Sequence, residues 1–453
     1  MALKDGSRVA IIGGGPAGSF FAHFVQKYAL QEGIQLSVTI FDGKDFLLRG
    51  PRGCNLCAGV LSASLHEKLR EEGIFLPEKR IINRVDGYML HVNDEHLLLT
   101  CKENRKEKIA TVFRGNGPRY ATFPDIVSFD DFLLSWAQDQ NVKVIPVPVW
   151  DIQLPKSRDE PVRLLFGRRG HLHPFDADLV VGAFGVNSYL IKKMESLEFG
   201  YRHPSTLITY QAEFKLGREK VSANFDNMIH IYMPKSKNIR YATVIPKGDY
   251  LSITLVGHRD VTKDFLDEFL NTAEIRGRVP LSSPPCSCYP RIVVSPSRKP
   301  FADRLVIIGD ASFSRHYKNG IESAFITARL AAETAVRFGI DTVSFSSHYY
   351  KRAKSLIADD NAYGRFLFLM NDIISSMPLL TKSHLSLVRE EKPTLSSWKI
   401  RSILWNMFTG NIPYKKIFYM SLDIKLQISL FWNTLRLFFS KISAALNGSR
   451  RKR

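Results

Sequence analysis

An α/β fold, in which a parallel-sheet domain carries an inserted antiparallel sheet and is followed by a helical C-terminal region, is predicted by three features of this 453-residue chain. A short apolar run, Arg8 to Ile12, leads into Gly13-Gly14-Gly15-Pro16-Ala17-Gly18 and then into apolar residues at helical spacing. A second apolar run, Arg304 to Ile308, ends in Gly309-Asp310. Between the two, residues from about 205 to 257 alternate as antiparallel strands do.

The elements follow in order. Arg8 to Ile12 is almost fully apolar, as a parallel strand covered on both faces must be. Phe20, Phe21, Phe24, Val25 and Tyr28 mark the next helix, and Leu36 to Phe41 is a second strand closed by Asp42. Strands are expected near Ile82 to Leu99, a helix over Phe129 to Gln138, and further strands at Val142 to Val149 and Asp178 to Ala183. Tyr250 to Val256 reads as an antiparallel strand, and the Pro- and Ser-rich stretch Leu281 to Pro290 as a loop. After about Val343 the pattern is helical throughout.

Three glycines spaced Gly13-x-Gly15-x-x-Gly18 say little alone; between a buried strand and a helix, with an acid ending the next strand, they make a dinucleotide-binding turn. Gly13 permits the tight turn, Gly15 lets the backbone approach a pyrophosphate, and Gly18 lets helix and strand pack closely. The helix N-terminus offers free N–H groups to the phosphates, and Asp42 offers a carboxylate to the ribose hydroxyls.

The second element decides which dinucleotide. Leu305 to Ala311, Asn319-Gly320-Ile321-Glu322 and a helix through Ala324, Ala328, Ala331, Ala332 and Ala335 resemble the FAD-binding fold shared by aromatic hydroxylases, flavin halogenases and geranylgeranyl reductases. Gly53 to Ser62, with Cys57 at the cysteine position, is similar to the Cys-Gly-Gly segment of the geranylgeranyl reductase branch, and Tyr241 to Asp249 to its Tyr-x-Trp-x-Phe-Pro-Lys signature. The likeness runs from residue 1 to about 345. Thr243 and Ile245 stand where the branch has Trp and Phe, which changes the pocket roof. Ala183-Phe184-Gly185 replaces the hydroxylases' Ala-Asp-Gly, which weakens the case for direct nicotinamide docking, and the Arg shortly before the Phe129-Asp130 pair is missing.

The resemblance implies a discontinuous FAD-binding domain (1–62, 120–190 and 295–342), a substrate domain (63–119 and 191–294) and a helical C-terminal region (343–453). It implies a cofactor set of Gly13, Gly15, Pro16, Ala17, Gly18, Asp42, Arg52, Ala58, Gly59, Val149, Gly309, Asp310, Gly320 and Ile321, with Asp310 on the ribityl chain and the helix from Gly320 aimed at the flavin. The implied reaction is reduction of carbon–carbon double bonds in a polyprenyl lipid, with Cys57 and Tyr241 beside the reacting carbons. Electrons would come from NAD(P)H or a ferredoxin-type donor protein. A hydroxylase or halogenase of the same fold is the alternative enzyme reading, although the halogenase Trp-x-Trp-x-Ile-Pro is absent and only Val244-Ile245-Pro246 echoes it.

Five cysteines make no disulfide framework, and with no signal-peptide pattern ahead of the first strand a reducing cytoplasm is expected. Cys54-x-x-Cys57 admits a redox reading and Cys286-x-Cys288 a metal one, but their separation is unlike paired zinc motifs. The twelve histidines show no HExxH, so no metal site is assigned.

Lysine and arginine exceed acids by 19, and from Ser396 onward eleven basic residues face one acid, Asp423, so the tail holds +10 of that excess. Ile424, Ile428, Phe431, Trp432, Leu435, Phe438, Phe439 and Ile442 share one helical face, opposite Lys425, Ser429, Asn433, Arg436 and Ser440. Charges interrupt the run too often for a spanning helix. An interfacial helix on an anionic membrane, strengthened by Arg450-Arg451-Lys452-Arg453, is expected; the alternative is a helical cap with a solvated polar face. A basic protein that merely keeps a flavin fold is the third reading. Nucleic acid is not expected as its partner, because the charge sits beside large apolar residues and not across a folded face.

Overall fold

The computed structural model describes residues 1–92, 94–100, 108–157, 159–281, 284, 286–317, 319–391 and 399–450, with side chains to residue 443. The start of the basic tail, Ser396 to Trp398, and Arg451-Lys452-Arg453 at its end lie outside the described residues.

Strand β1 (Arg8–Ile12) leads through the glycine turn into α1 (Pro16–Gln31) and back to β2 (Ser37–Phe41). Pro16 opens α1 at its first position, where a missing N–H costs nothing. A left-handed Gly33 (φ +72°) closes it: the Ile34 amide reaches Ala29 O at 3.0 Å and the Gly33 amide reaches Leu30 O at 3.2 Å. Phe20, Phe21 and Phe24 are buried along one face, each worth about 1.5–3 kcal/mol on leaving water.

Strands β3 (Gly87–Val92) and β4 (Glu95–Leu99) form one edge of a seven-stranded sheet. Helix α2 (Phe129–Gln138) is capped by Ser128, whose hydroxyl accepts the Asp131 N–H at 3.1 Å. Strand β5 (Lys143–Ile145) follows. The expected strand Val142 to Val149 is broken after Ile145, because Pro146 and Pro148 cannot donate to a ladder; its last residue, Val149, begins a further strand, Val149–Gln153, in a separate three-stranded sheet. Strands β6 (Leu179–Gly182), β7 (Tyr210–Lys215), β8 (Met228–Met233), β9 (Ile239–Lys247) and β10 (Tyr250–Gly257) come next. The expected loop Leu281 to Pro290 contains a short strand, β11 (Cys286–Cys288), held by pairing with β7. Then come β12 (Phe301–Ala302), β13 (Leu305–Ile307) and α3 (Gly320–Arg337). The C-terminal helices are α4 (Asp359–Ser376), α5 (Pro378–Glu390), α6 (Ile400–Thr409), α7 (Tyr414–Ser421) and α8 (Ile424–Arg450).

The first sheet runs β12-β13-β6-β1-β2-β5, parallel except at its β12 edge. Helices α1 and α3 pack together over it, with Phe325 edge-on to Phe20 and Phe24 at 5.3 and 5.1 Å. This is a Rossmann-like layer. The second sheet runs β11-β7-β10-β9-β8-β3-β4, antiparallel except where β8 meets β3. Side chains alternate across it: Ala212, Phe214, Tyr232, Ala242, Val244, Ile253 and Leu255 enter a core of their own, leaving the other face for the site.

Candidate functional site

One cavity of about 770 Å³ runs from the glycine turn to the free face of the second sheet. At its first end lie Gly13, Gly15, Pro16, Ala17, Asp42, Arg52, Ala58, Val149, Asp310, Gly320 and Ile321, from segments scattered over 300 positions. Gly18, Gly59 and Gly309 stand behind this wall and make close approaches. A Cβ on Gly18 would sit 1.9 Å from Gly13 O, one on Gly59 2.1 Å from Val112 O, and one on Gly309 2.9 Å from Ala17 Cβ. Backbone atoms block the first two outright. Gly13, at φ +107°, is both left-handed and pressed against Ala183 O.

Asp42 has a local task in this chain. Its Oδ2 accepts the Gly14 N–H at 2.7 Å and its Oδ1 the Lys44 N–H at 2.8 Å, so it fixes the turn that it faces. Burial pushes its pKa up, partly offset by those two amides. Asp310 is different: its Oδ1 is buried without a hydrogen-bond partner, and burial pushes this carboxyl up as well. An orphaned carboxylate oxygen facing a large cavity, beside a helix start at Gly320, is a site lacking its partner. The glycine approaches and this unspent acceptor fit an extended dinucleotide with hydroxyl groups.

Sequence reasoning missed the network beneath. Arg114 and Asp130 are both buried, and Asp130 Oδ2 also accepts from Asn55 Nδ2 at 2.5 Å. Burial alone would lower the Arg114 pKa, but the carboxylate beside it raises the value instead. The arginine absent just before Phe129 is thus supplied from Arg114, by way of an isolated bridge between Phe113 and Ser128. Lys44 Nζ donates to Asn55 Oδ1 at 3.0 Å, which ties the same network to the turn after β2.

At the other end, Ile229, Ile231 and Met233 of β8 and Tyr241, Thr243 and Ile245 of β9 form an apolar floor. Thr243 and Ile245, which replace larger rings, both face the cavity. Tyr241 of that floor is edge-on to Tyr317 at 6.4 Å, and burial pushes its phenol up. Cys57 also faces the cavity; its Sγ accepts the Gly59 N–H at 3.5 Å. The far wall comes from the C-terminal region: Phe368, Asn371 and Asp372 of α4, and Met407, Phe408 and Thr409 of α6. Asp372 meets Arg240 through two contacts, Nη2 to Oδ2 at 2.6 Å and Nε to Oδ1 at 3.2 Å. Neither residue is marked by a local motif.

The two cysteine pairs converge. Cys54, Cys57, Cys286 and Cys288 line one small void of about 30 Å³ with Arg114, Glu213 and Lys247, because β11 pairs with β7 beside the Gly53 to Ser62 segment. All four are free thiols, and burial pushes Cys54 and Cys288 up, so these stay protonated. Among the described residues no group of three or more His, Cys, Asp or Glu is placed to hold a metal.

No protein-family profile matches the chain. Curated relatives do, among them a geranylgeranyl diphosphate reductase of Synechocystis, 24% identical over 73% of this chain and 75% of the relative, and a digeranylgeranylglycerophospholipid reductase of Methanococcus vannielii, 24% identical over 82% and 86%. A solved geranylgeranyl bacteriochlorophyll reductase-like protein of Thermoplasma acidophilum superposes with a TM-score of 0.65 at 17% identity, covering 93% of this chain and all of that one. The likeness to geranylgeranyl reductases holds. Solved flavin-dependent halogenases and monooxygenases share the same fold, so the architecture is that of flavoproteins and admits more than one chemistry.

Proposed function

We propose that the chain is an FAD-dependent oxidoreductase that reduces carbon–carbon double bonds of a polyprenyl lipid. One observation carries this reading: a single cavity joins a dinucleotide-type cradle to an apolar sheet face, with no barrier between them. Gly13, Gly15 and the start of α1 would hold the pyrophosphate, Asp310 the ribityl hydroxyls, and Arg52, Ala58, Val149, Gly320 and Ile321 the remaining edges. Bound and reduced, FAD supplies a hydride at this place.

The protein's part is placement. An isolated alkene offers no polar handle, so Ile229, Ile231, Met233 and Ile245 must position it by shape and keep water out. Cys57 and Tyr241 are proposed as the groups nearest the reacting carbons, one of them holding the proton for the carbon that does not receive hydride. Burial keeps the Tyr241 phenol protonated, as a donor must be. The electron donor is proposed to be external, NAD(P)H or a ferredoxin-type protein.

Purified protein should be yellow, and after anaerobic reduction should add two hydrogens to each double bond of a geranylgeranyl lipid by mass spectrometry. Gain of one oxygen or one halogen would replace this reading with the hydroxylase or halogenase one. Colourless protein that refuses added FAD would end it. We further propose that the C-terminal helices associate with an anionic membrane. Among the described residues no helix is long and apolar enough to cross one.

A further inference from the structure

Helix α4 has two faces with different destinations. Phe368, Asn371 and Asp372 line the cavity. Phe366, Leu369 and Ile373, at 45%, 53% and 42% exposure, point outward, on average about 140° away at 3.6 residues per turn. One helix, roughly 10–12 Å thick, is therefore all that separates the cavity from the surface here. Outer residues of a wall helix are ordinarily polar; these are not.

The outward face continues. Phe418 of α7 packs on Tyr363 and Phe366 at 5.3 and 5.5 Å, and Tyr419 and Leu422 beside it are exposed. Along α8, Ile424, Ile428, Phe431, Trp432, Phe438 and Phe439 form an exposed stripe. Of the polar residues on the other side, Lys425, Ser429, Arg436 and Ser440 are exposed, but that side is not wholly solvated. Leu426 and Asn433 are buried against α5, with Asn433 Nδ2 donating to Ser383 O at 2.8 Å and to Ser386 Oγ at 2.7 Å. The helix is thus docked to the body by its far side and presents its apolar stripe outward. Isolated exposed apolar residues need no partner, but a joined face on α4 and α7 and a stripe along α8 do.

We propose that the outer faces of α4, α7 and α8 rest on an anionic lipid bilayer, and that the prenyl chain enters the cavity from that bilayer past α4. Charge selects this occupant: Lys415, Lys416, Lys425 and Lys441 are exposed around the patch, and the acids Asp359 and Asp423 at its edge are already paired, with Lys354 at 2.8 Å and Lys399 at 2.7 Å. Aromatic rings sink to the headgroup level while the cations stay in the polar layer. The contacts that hold α4 to the cavity floor include the Arg240–Asp372 pair, the Arg240 guanidinium over the Phe368 ring at 5.8 Å, and Asn371 Nδ2 to Met233 Sδ at 3.6 Å. A chain arriving from the lipid must pass this latch. The surface stands on its own, whereas the route rests on the proposed function.

The test uses full-length protein and vesicles of phosphatidylcholine with or without phosphatidylserine. Sedimentation with the serine-containing vesicles is expected, weakened at least tenfold by Phe431→Glu with Trp432→Glu. Leu369→Trp should give tryptophan emission that brominated acyl chains quench beyond the unaltered chain; this readout needs no turnover. Leu369→Glu with Ile373→Glu should lower reduction of vesicle-borne prenyl lipid at least tenfold, with less than a twofold change for the same lipid in detergent. Quenching without reduction keeps the surface and removes the function. Binding without Leu369→Trp quenching, or an equal loss in vesicles and detergent, overturns the route. No sedimentation, or a dimer that buries the patch, overturns the surface.

Discussion

Arg114 and Asp130 meet in a buried bidentate ion pair, Nε to Oδ1 at 2.5 Å and Nη2 to Oδ2 at 2.9 Å, beneath the glycine turn. Removing one partner strands the other charge in the interior, which typically costs about 3–5 kcal/mol. Asp130→Ala is expected to lower the midpoint of chemical unfolding markedly, and Arg114→Met with Asp130→Leu to recover part of it. An unchanged midpoint in the single variant would show the pair to be solvated.

Loss of flavin should follow from either end of the cradle. In Gly15→Val the Cβ would lie 2.9 Å from Asn55 Nδ2, with two further methyls projecting beside it. Asp310→Ala removes the unspent acceptor. Both proteins are expected to fold and to purify without the visible absorbance of the parent. Retention of full flavin content by Asp310→Ala would exclude that carboxylate from the cradle.

Chemistry should separate from binding at Cys57. Cys57→Ala is expected to keep its flavin and to slow alkene reduction, by about 100-fold if the thiol is the proton donor. Tyr241→Phe tests the phenol in the same way. Whichever variant turns over at the parental rate drops out of the mechanism.

Acid sensitivity is built in away from the cavity. His91 stacks on Tyr232 at 4.1 Å, and its Nε2 lies 2.9 Å from His230 Nδ1. Burial lowers the two pKa values from 6.5 to about 3 and about 4, helped at His91 by the neighbouring His230. The unfolded chain binds these protons first, so their contribution is fully present above pH 6.5 and is lost as pH falls toward the folded values. The slope is up to about 1.4 kcal/mol per pH unit for each histidine. The unfolding free energy should fall between pH 6.5 and 4, and more gently in His91→Phe; parallel profiles would refute this.

The sequence by itself determined whatever depends on short spacing. Strand, glycine turn and helix at residues 8 to 31, the capped helix at 129 to 138 and the Gly309-Asp310 turn are local, since φ/ψ preference and side-chain periodicity act over a few residues. Only the tertiary structure decided what depends on distant segments meeting. Arg114 took up Asp130, four cysteines from two short motifs came to share one void, and Asp372 closed the cavity against Arg240 from 132 positions away. Asn433, polar and placed by periodicity toward water, was buried because Ser383 and Ser386 offered it partners. A buried charge or amide declares itself only beside the group that satisfies it, and that group is set by how sheets and helices pack.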